Sequence, residues 1–345
     1  MKRLNQSSLR RLISLGALLV FFVIFSCTSN SFLNAGNLFA ILRNAGIVGI
    51  IGVGLTLVII TAGIDLSTGA ILAVSCMTMA NCYRYTSLPV WSILAAGVLV
   101  GLLCGVVNGL AVTRLRLPEF IATLATQGIF RGLTYMTAIR VNGNITNQPI
   151  RDYRFTLLAE HTGGVYYVTI VWIALALIGQ VVLKRTRFGT AVYAAGTDPK
   201  AAGFSGINTS RIRLMVFAIT GFCCGIGALF MSARMQTATA DFGFGLEFDV
   251  IAAVVVGGCA LNGGRGDVIG SLIGAVFMAM LDNGIYKYQI NTSYQPIIKG
   301  AIIVLVVIFD AWYRGYMDRR LQLQRAGGEP PAARMLAAQG PAKRG

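Results

Sequence analysis

Apolar stretches of roughly 17 to 25 residues recur along almost the whole chain, and this recurrence limits the fold more than any other feature. A stretch of that length, helical at about 1.5 Å per residue, crosses the ~30 Å hydrocarbon core of a bilayer. Ten can be read, at 12–27, 41–62, 69–85, 90–112, 119–138, 165–183, 213–233, 247–261, 270–290 and 295–313. Several are short or interrupted by glycine. Only 12% of the 345 residues are charged, where a soluble globular domain carries about 25%. Backbone polar groups in lipid must be satisfied inside their own segment, which leaves helices or closed barrels. The expected class is all-α: a polytopic integral membrane protein with about ten transmembrane helices, some broken or short.

The formal net charge is +16, from 29 Lys and Arg against 13 Asp and Glu. With ten spans and both termini cytoplasmic, twenty of those 29 basic residues fall in cytoplasmic segments. That orientation satisfies the positive-inside rule and its inverse breaks it. The basic charge thus reports topology and contact with anionic membrane lipids; no basic soluble module is present to make a nucleic-acid partner. The expected organisation is a cytoplasmic N-tail over 1–11, a transmembrane domain over 12–313, and a cytoplasmic C-tail over 314–345 of disorder-prone composition. Lys2, Arg3, Arg10 and Arg11 precede an apolar run ending in Ile24-Phe25-Ser26-Cys27, which resembles a lipidated leader. Phe25 is bulky for a cleavage point and many spans follow, so an uncleaved first span is expected.

The familiar catalytic patterns are missing. Cys27, Cys76, Cys82, Cys104, Cys223, Cys224 and Cys259 lie in or beside apolar spans without C-x-x-C spacing and read as small hydrophobes. His161 is the lone histidine and sits in a polar loop, so no metal site is expected. A phosphate-binding P-loop requires Gly-Lys-Ser/Thr, and none of Lys2, Lys184, Lys200, Lys287, Lys299 or Lys343 follows a glycine. The chain is therefore read as a non-enzyme that does not bind ATP by that means. Any uphill work must draw on an ion gradient or on another subunit.

Glycines and sparse polar residues mark where spans pack or break. Gly97, Gly101, Gly105 and Gly109 recur every fourth residue on one face of the fourth span, and Gly266, Gly270 and Gly274 do so at the start of the ninth. Such spacing lets helices approach closely, either within the chain or across a dimer interface. AGIDLSTG (62–69) and LNGGRGDVIG (261–270) interrupt the apolar pattern, and each leads into a new span. Asp65 (or Ser67) and Asp267 are placed to cap those spans; alternatively, each break lines a cavity where polar backbone meets solute. Their similarity hints at duplication. Within the spans the polar groups are few: Arg131, Asp249 and Asp282, with Asn108, Asn283 and Gln127. Thr123 and Gln127 stand four apart on one helical face, with Thr126 beside them. Hydroxyls and amides without dense charge suit a neutral polyhydroxylated solute better than an ion, though the same groups also bond helix to helix. The candidate translocation path is Asp65, Ser67, Thr123, Thr126, Gln127 and Asp249.

Two polar segments stand outside the spans. One, 140–165, is the longest external segment and faces an extracytoplasmic partner or merely solvent. The other, KRTRFGTAVYAAGTDPKAAGFSGINTSRIR (184–213), holds six Lys and Arg. In it Asp198 suits an N-cap, Pro199 the first helical position and Gly206 the far end, which predicts one short helix. A helix folded into a cytosolic loop implies something for it to touch.

AGIDLSTGAILA (62–73), PEFIATLATQGIFRGLTY (118–135), FGTAVYAAGTDPKAAGFSGINTSRIR (188–213) and GLEFDVIAAVVVGGCALNGGRGDVIGSLIGA (245–275) together resemble the permease subunits of ribose-, xylose- and arabinose-type ABC importers. The resemblance runs from about residue 35 to 313, with the motifs in order; branched-chain amino acid permeases are more distant. Ala62-Gly63 stands where two glycines are common in that family, and Thr68 where valine is frequent, so ribose itself does not follow. The resemblance implies a bacterial inner-membrane permease for a monosaccharide or similar small polyol. Its implied partners are cytosolic ATP-binding subunits, a periplasmic solute-binding protein and a second permease copy or a similar permease. ATP and Mg would sit on the partner subunits, with no cofactor on this chain. It also implies that the loop 184–213 supplies an ATPase-coupling helix over Asp198, Pro199, Lys200, Ala201, Ala202, Gly203, Phe204, Ser205 and Gly206, with Lys200, Ala201, Ala202 and Phe204 as contacts. An ion-coupled secondary transporter working alone is the alternative.

Overall fold

The computed structural model describes residues 6–28, 31–138, 140–141, 144–291, 294–301, 304–305 and 308. It divides into two units, Met1–Gln295 and Pro296–Gly345. In the second, the described residues 296–301, 304–305 and 308 are helical. Most of the expected tenth span (295–313) beyond these, the C-tail over 314–345 and residues 1–5 of the N-tail lie outside the described residues.

The first unit is built of helices. They are α1 (Gln6–Thr28), α2 (Ala35–Ile60), α3 (Thr68–Tyr85), α4 (Val90–Thr113), α5 (Glu119–Thr137), α6 (Tyr153–Thr156), α7 (Tyr167–Arg185), α8 (Arg187–Thr197), α9 (Pro199–Phe204), α10 (Thr209–Met235), α11 (Leu246–Val256) and α12 (Val268–Lys287). Five of them, α2, α4, α7, α10 and α12, are long and apolar enough to cross a membrane. The 247–261 stretch is helical only to Val256, because Gly257 and the left-handed Gly258 end it.

The segment read as an external loop carries small elements of its own. Two-residue antiparallel pairs join β1 (Arg140–Val141) to β2 (Asn144–Ile145) and β4 (His161–Thr162) to β5 (Val165–Tyr166). A third pair ties β3 (Gln148–Pro149) to β6 (Thr237–Ala238), just after α10. The class is helical, with these ladders as minor additions to the expected all-α fold.

Packing centres on α2 and α10. Ile50, Ile51, Leu55 and Ile59 of α2, Phe217 of α10 and Val250 and Val254 of α11 are fully buried. The most extensive helix–helix contact among the described residues is α4 with α10, where glycine meets glycine. A methyl group on Gly105 would stand 2.9 Å from Gly221 Cα, and one on Gly101 2.8 Å from Gly225 Cα. Gly109 backs onto Leu214 in the same way, while Gly97 faces the Met79 side chain of α3. The expected stripe thus packs inside the chain, since lipid supplies little other drive for helices to associate.

Some polar side chains in the spans bond one helix to another. Asn37 and Asn283 exchange amide hydrogen bonds of 3.2 and 2.9 Å between α2 and α12. Thr56 and Ser271 hydroxyls lie 2.7 Å apart, joining the same two helices. None of the seven cysteines is in a disulfide, and among the described residues no group of three or more His, Cys, Asp or Glu could hold a metal ion.

Candidate functional site

The loop 184–213 folds almost entirely into helix, and it contains two helices where its sequence predicts one. Thr186 caps α8 by accepting the Gly189 N–H at 3.2 Å. Gly189, Val192, Ala195 and Gly196 form the buried face of α8. These spacings of three and four are a helical signal masked by the polar residues between them. Asp198 caps α9, accepting the Lys200 and Ala201 N–H groups at 2.9 and 3.0 Å, with Pro199 in the first helical position. At the other end Gly206 adopts a left-handed φ of +79°. Its N–H bonds the Gly203 carbonyl and the Ile207 N–H bonds the Ala202 carbonyl, both at 3.0 Å. That paired arrangement satisfies carbonyls a helix end otherwise leaves open. Six residues would not hold a helix alone, since nucleation is costly; α9 is held by its caps.

What α9 presents outward differs from expectation at one residue. Lys200, Ala201, Gly203 and Phe204 are exposed, but Ala202 is buried and faces inward. With contacts expected at 200, 201, 202 and 204, Ala202 is the correction, because one face of a short helix must rest on its own domain. Phe204 is 93% exposed, which leaves an apolar ring standing in solvent on a rigidly capped turn.

Behind α9, α8 rests on both breaks. The first break, residues 61–67, begins where Ala62 takes a left-handed φ of +64°. The second, residues 257–267, contains left-handed Gly258, Gly263 and Gly264. The two touch: the Gly264 N–H donates to the Ile60 carbonyl at 2.8 Å. Gly196 of α8 lies so close over the Ile60 carbonyl and the Gly264 nitrogen that a side chain has no room there. Tyr193 adds a hydroxyl bond of 2.6 Å to the Gly266 carbonyl.

Capping at the breaks is uneven. Asp267 caps α12 by accepting the Gly270 N–H at 2.8 Å. Ser67 occupies the N-cap of α3 without a side-chain cap bond. Asp65 does not reach into α3 either, because it accepts the Ser67 N–H at 2.9 Å and the Ser67 hydroxyl at 2.6 Å. This corrects the expectation that Asp65 or Ser67 caps the third span.

The path candidates fall into two clusters. Asp65, Ser67 and Thr123, all fully buried, gather with Asn108, whose amide donates to the Ser67 hydroxyl at 2.6 Å. Thr123 donates to the Ile64 carbonyl at 3.2 Å, linking α5 to the first break. Glu119 adjoins this cluster and ion-pairs with Arg213 at 3.2 Å, without the alignment of a hydrogen bond. Asp65 Oδ2, Asn108 Oδ1 and Glu119 Oε2 have no hydrogen-bond partner among the described residues. Buried polar atoms left in that state are costly, which marks the cluster as more than packing.

The second cluster lies further along α5. Gln127 donates to Glu247 of α11 at 3.0 Å. Arg131 donates to the Ala240 and Phe242 carbonyls at 2.7 and 2.8 Å, and Tyr135 shares a 2.5 Å hydrogen bond with Asp241. Thr126 bonds only its own helix, to the Thr123 carbonyl at 3.1 Å. Asp249 is half-buried on α11, two residues beyond Glu247. Glu119, Glu247, Arg213, Tyr193 and Gly196 were not singled out from sequence. An acid inside an apolar stretch was the available signal for the two glutamates; nothing marked Tyr193.

The family described as branched-chain amino acid transport system / permease component matches residues 37–307. The ribose import permease protein of Bacillus subtilis is 36% identical over 294 residues, 85% of this chain and 90% of its own length. That of Escherichia coli K12 is 36% identical over 302 residues, 86% of this chain and 92% of its own. The fructose import permease protein of Rhizobium meliloti is 33% identical, covering 82% of this chain and 80% of its own.

Proposed function

The chain belongs to the branched-chain amino acid transport system / permease component family, and from that premise we propose that it is the membrane subunit of an ATP-binding-cassette importer. Its solute is a monosaccharide or a similar small polyhydroxylated molecule, as import permeases similar to it are named for ribose and fructose. The permease domain is residues 12–313, with about ten spans in a bacterial inner membrane and cytoplasmic tails at both ends. Its partners are ATP-binding subunits that hold ATP and Mg, a periplasmic solute-binding protein, and a second permease copy or a similar permease.

The observation that carries this reading is α9: capped at both ends, six residues long, with Phe204 93% exposed. An exposed aromatic on a rigid turn is suited to filling an apolar pocket on another protein. Movement of α9 passes to the membrane domain by two routes. One runs through α8, where Gly196 and Tyr193 sit on both breaks. The other runs through Arg213 to Glu119 at the start of α5, beside the Asp65 cluster. Breaks in spans are where alternating access can bend a helix while polar backbone meets solute. Asp65, Ser67 and Thr123 then line one stretch of the path, and Gln127 and Asp249 the next.

Two measurements test this. Phe204→Asp should abolish both co-purification of the ATPase and solute uptake, while the permease stays in the membrane; survival of both overturns the docking role. Proteoliposomes containing this chain alone should show no uptake under a proton or sodium gradient. Gradient-driven uptake there would establish the ion-coupled alternative instead.

A further inference from the structure

A cavity of about 380 Å³ lies where the ends of α4 and α10 part, lined by Thr113, Arg114, Asn208, Ser210, Arg211 and Leu214. The Gly109–Leu214 contact holds the two backbones together one turn away, and beyond it the helices diverge. The two helix ends bring opposite partial charges, the C-terminus of α4 and the N-terminus of α10, so these largely offset each other. The sign is therefore set by the arginines. Arg114 and Arg211 are exposed and form no ion pair with another described residue, the nearby Glu119 being engaged by Arg213.

Both arginines end an exposed apolar stripe. On α4, Leu99, Leu103, Val107 and Leu110 are 39–53% exposed and share the face of Arg114. On α10, Met215 and Phe222 share the face of Arg211 and are likewise exposed. From Leu99 to Leu110 the helix rises roughly 16 Å, about half of the ~30 Å hydrocarbon core. A free phosphate would use only the arginines. A molecule with a phosphate at one end and acyl chains one leaflet long uses the whole surface.

We propose that this cavity is a headgroup site for an anionic phospholipid, with its phosphate on Arg114 and Arg211, hydroxyls near Ser210 and Thr113, and its chains along the α4 stripe. The site rests on membrane embedding but not on the solute or on the ATPase partner, so binding can be read on the permease alone. The experiment is native mass spectrometry of the purified full chain, titrated with phosphatidylglycerol or phosphatidylcholine. Wild type should bind phosphatidylglycerol roughly 30-fold more tightly, as expected for two interfacial arginines. Arg114→Ala/Arg211→Ala should remove that preference, and Arg114→Lys/Arg211→Lys should keep most of it. Should the double alanine variant fail to fold, Ser210→Glu reports instead, by placing a negative charge in the cavity and removing the preference. Equal binding of the two lipids by wild type, or an unchanged preference in either variant, overturns the proposal. Displacement of phosphatidylglycerol by equimolar inorganic phosphate also overturns it, in favour of a soluble-phosphate site; retention supports the lipid.

Discussion

Replacing Gly105 with alanine tests whether the α4–α10 contact holds the domain together. The added methyl carbon would stand 2.9 Å from Gly221 Cα and 3.0 Å from Gly221 N, and closer still to the Phe217 carbonyl oxygen. Ordinary contact begins near 3.4 Å, and the atoms met are backbone, which cannot rotate aside. The helices must separate by roughly 1 Å, a gap that forfeits a quarter to a half of each dispersion contact across the seam. Overpacking of this kind costs about 1–3 kcal/mol. The gain in helix propensity from glycine to alanine returns about 1 kcal/mol, leaving a net loss of up to about 2 kcal/mol.

The same geometry predicts coupling. A methyl group on Gly221 would meet Gly105 Cα and N at 2.7 Å, so either substitution opens the same gap. Once one has separated the helices, the second costs less, and the pair should fall short of additivity by about 1 kcal/mol. Unfolding midpoints of the detergent-solubilised protein measure this, with Gly128→Ala as the control. Gly128 has nothing within 4 Å of its would-be side chain, so that variant should be neutral or stabilised. A Gly105→Ala variant that behaves like Gly128→Ala, or a Gly105/Gly221 double variant that equals the sum of its singles, would refute this role of the seam.

Two further outcomes are expected. Gly196→Ala should lift α8 off the Ile60 carbonyl and Gly264, leaving the ATPase bound through Phe204 but its hydrolysis uncoupled from uptake; parallel assays of hydrolysis and uptake in proteoliposomes check this, and unchanged coupling would refute it. Glu119→Gln should destabilise by about 1–3 kcal/mol, because it leaves the two-thirds-buried Arg213 charge without its partner. Glu119→Gln with Arg213→Gln should recover part of that loss in the same unfolding assay, and no recovery would mean the pair is not coupled.

Much of the architecture was legible from the chain itself. Bilayer thickness makes span length a direct readout, so the positions of α2, α4, α7, α10 and α12 follow from runs of apolar residues. Local chemistry is equally direct: Asp198, Pro199 and Gly206 delimit α9, and Asp267 caps α12, because such bonds close within a few residues. The stripe at Gly101, Gly105 and Gly109 announces close packing, though not its partner.

Only the tertiary structure decided how those parts meet. The α10 face that receives the glycines, the seating of α8 on both breaks and the ion pair of Glu119 with Arg213 join residues far apart in the chain. No local bond records such pairings. Asp65 shows the limit within a single motif. Its position permits a cap, but the buried surroundings of Ser67 and Asn108 turn it into the centre of a polar cluster. Ala202 and Phe204 show it again, two residues apart on one short helix. Sequence placed both on the helix; packing against the domain buried the one and left the other in solvent.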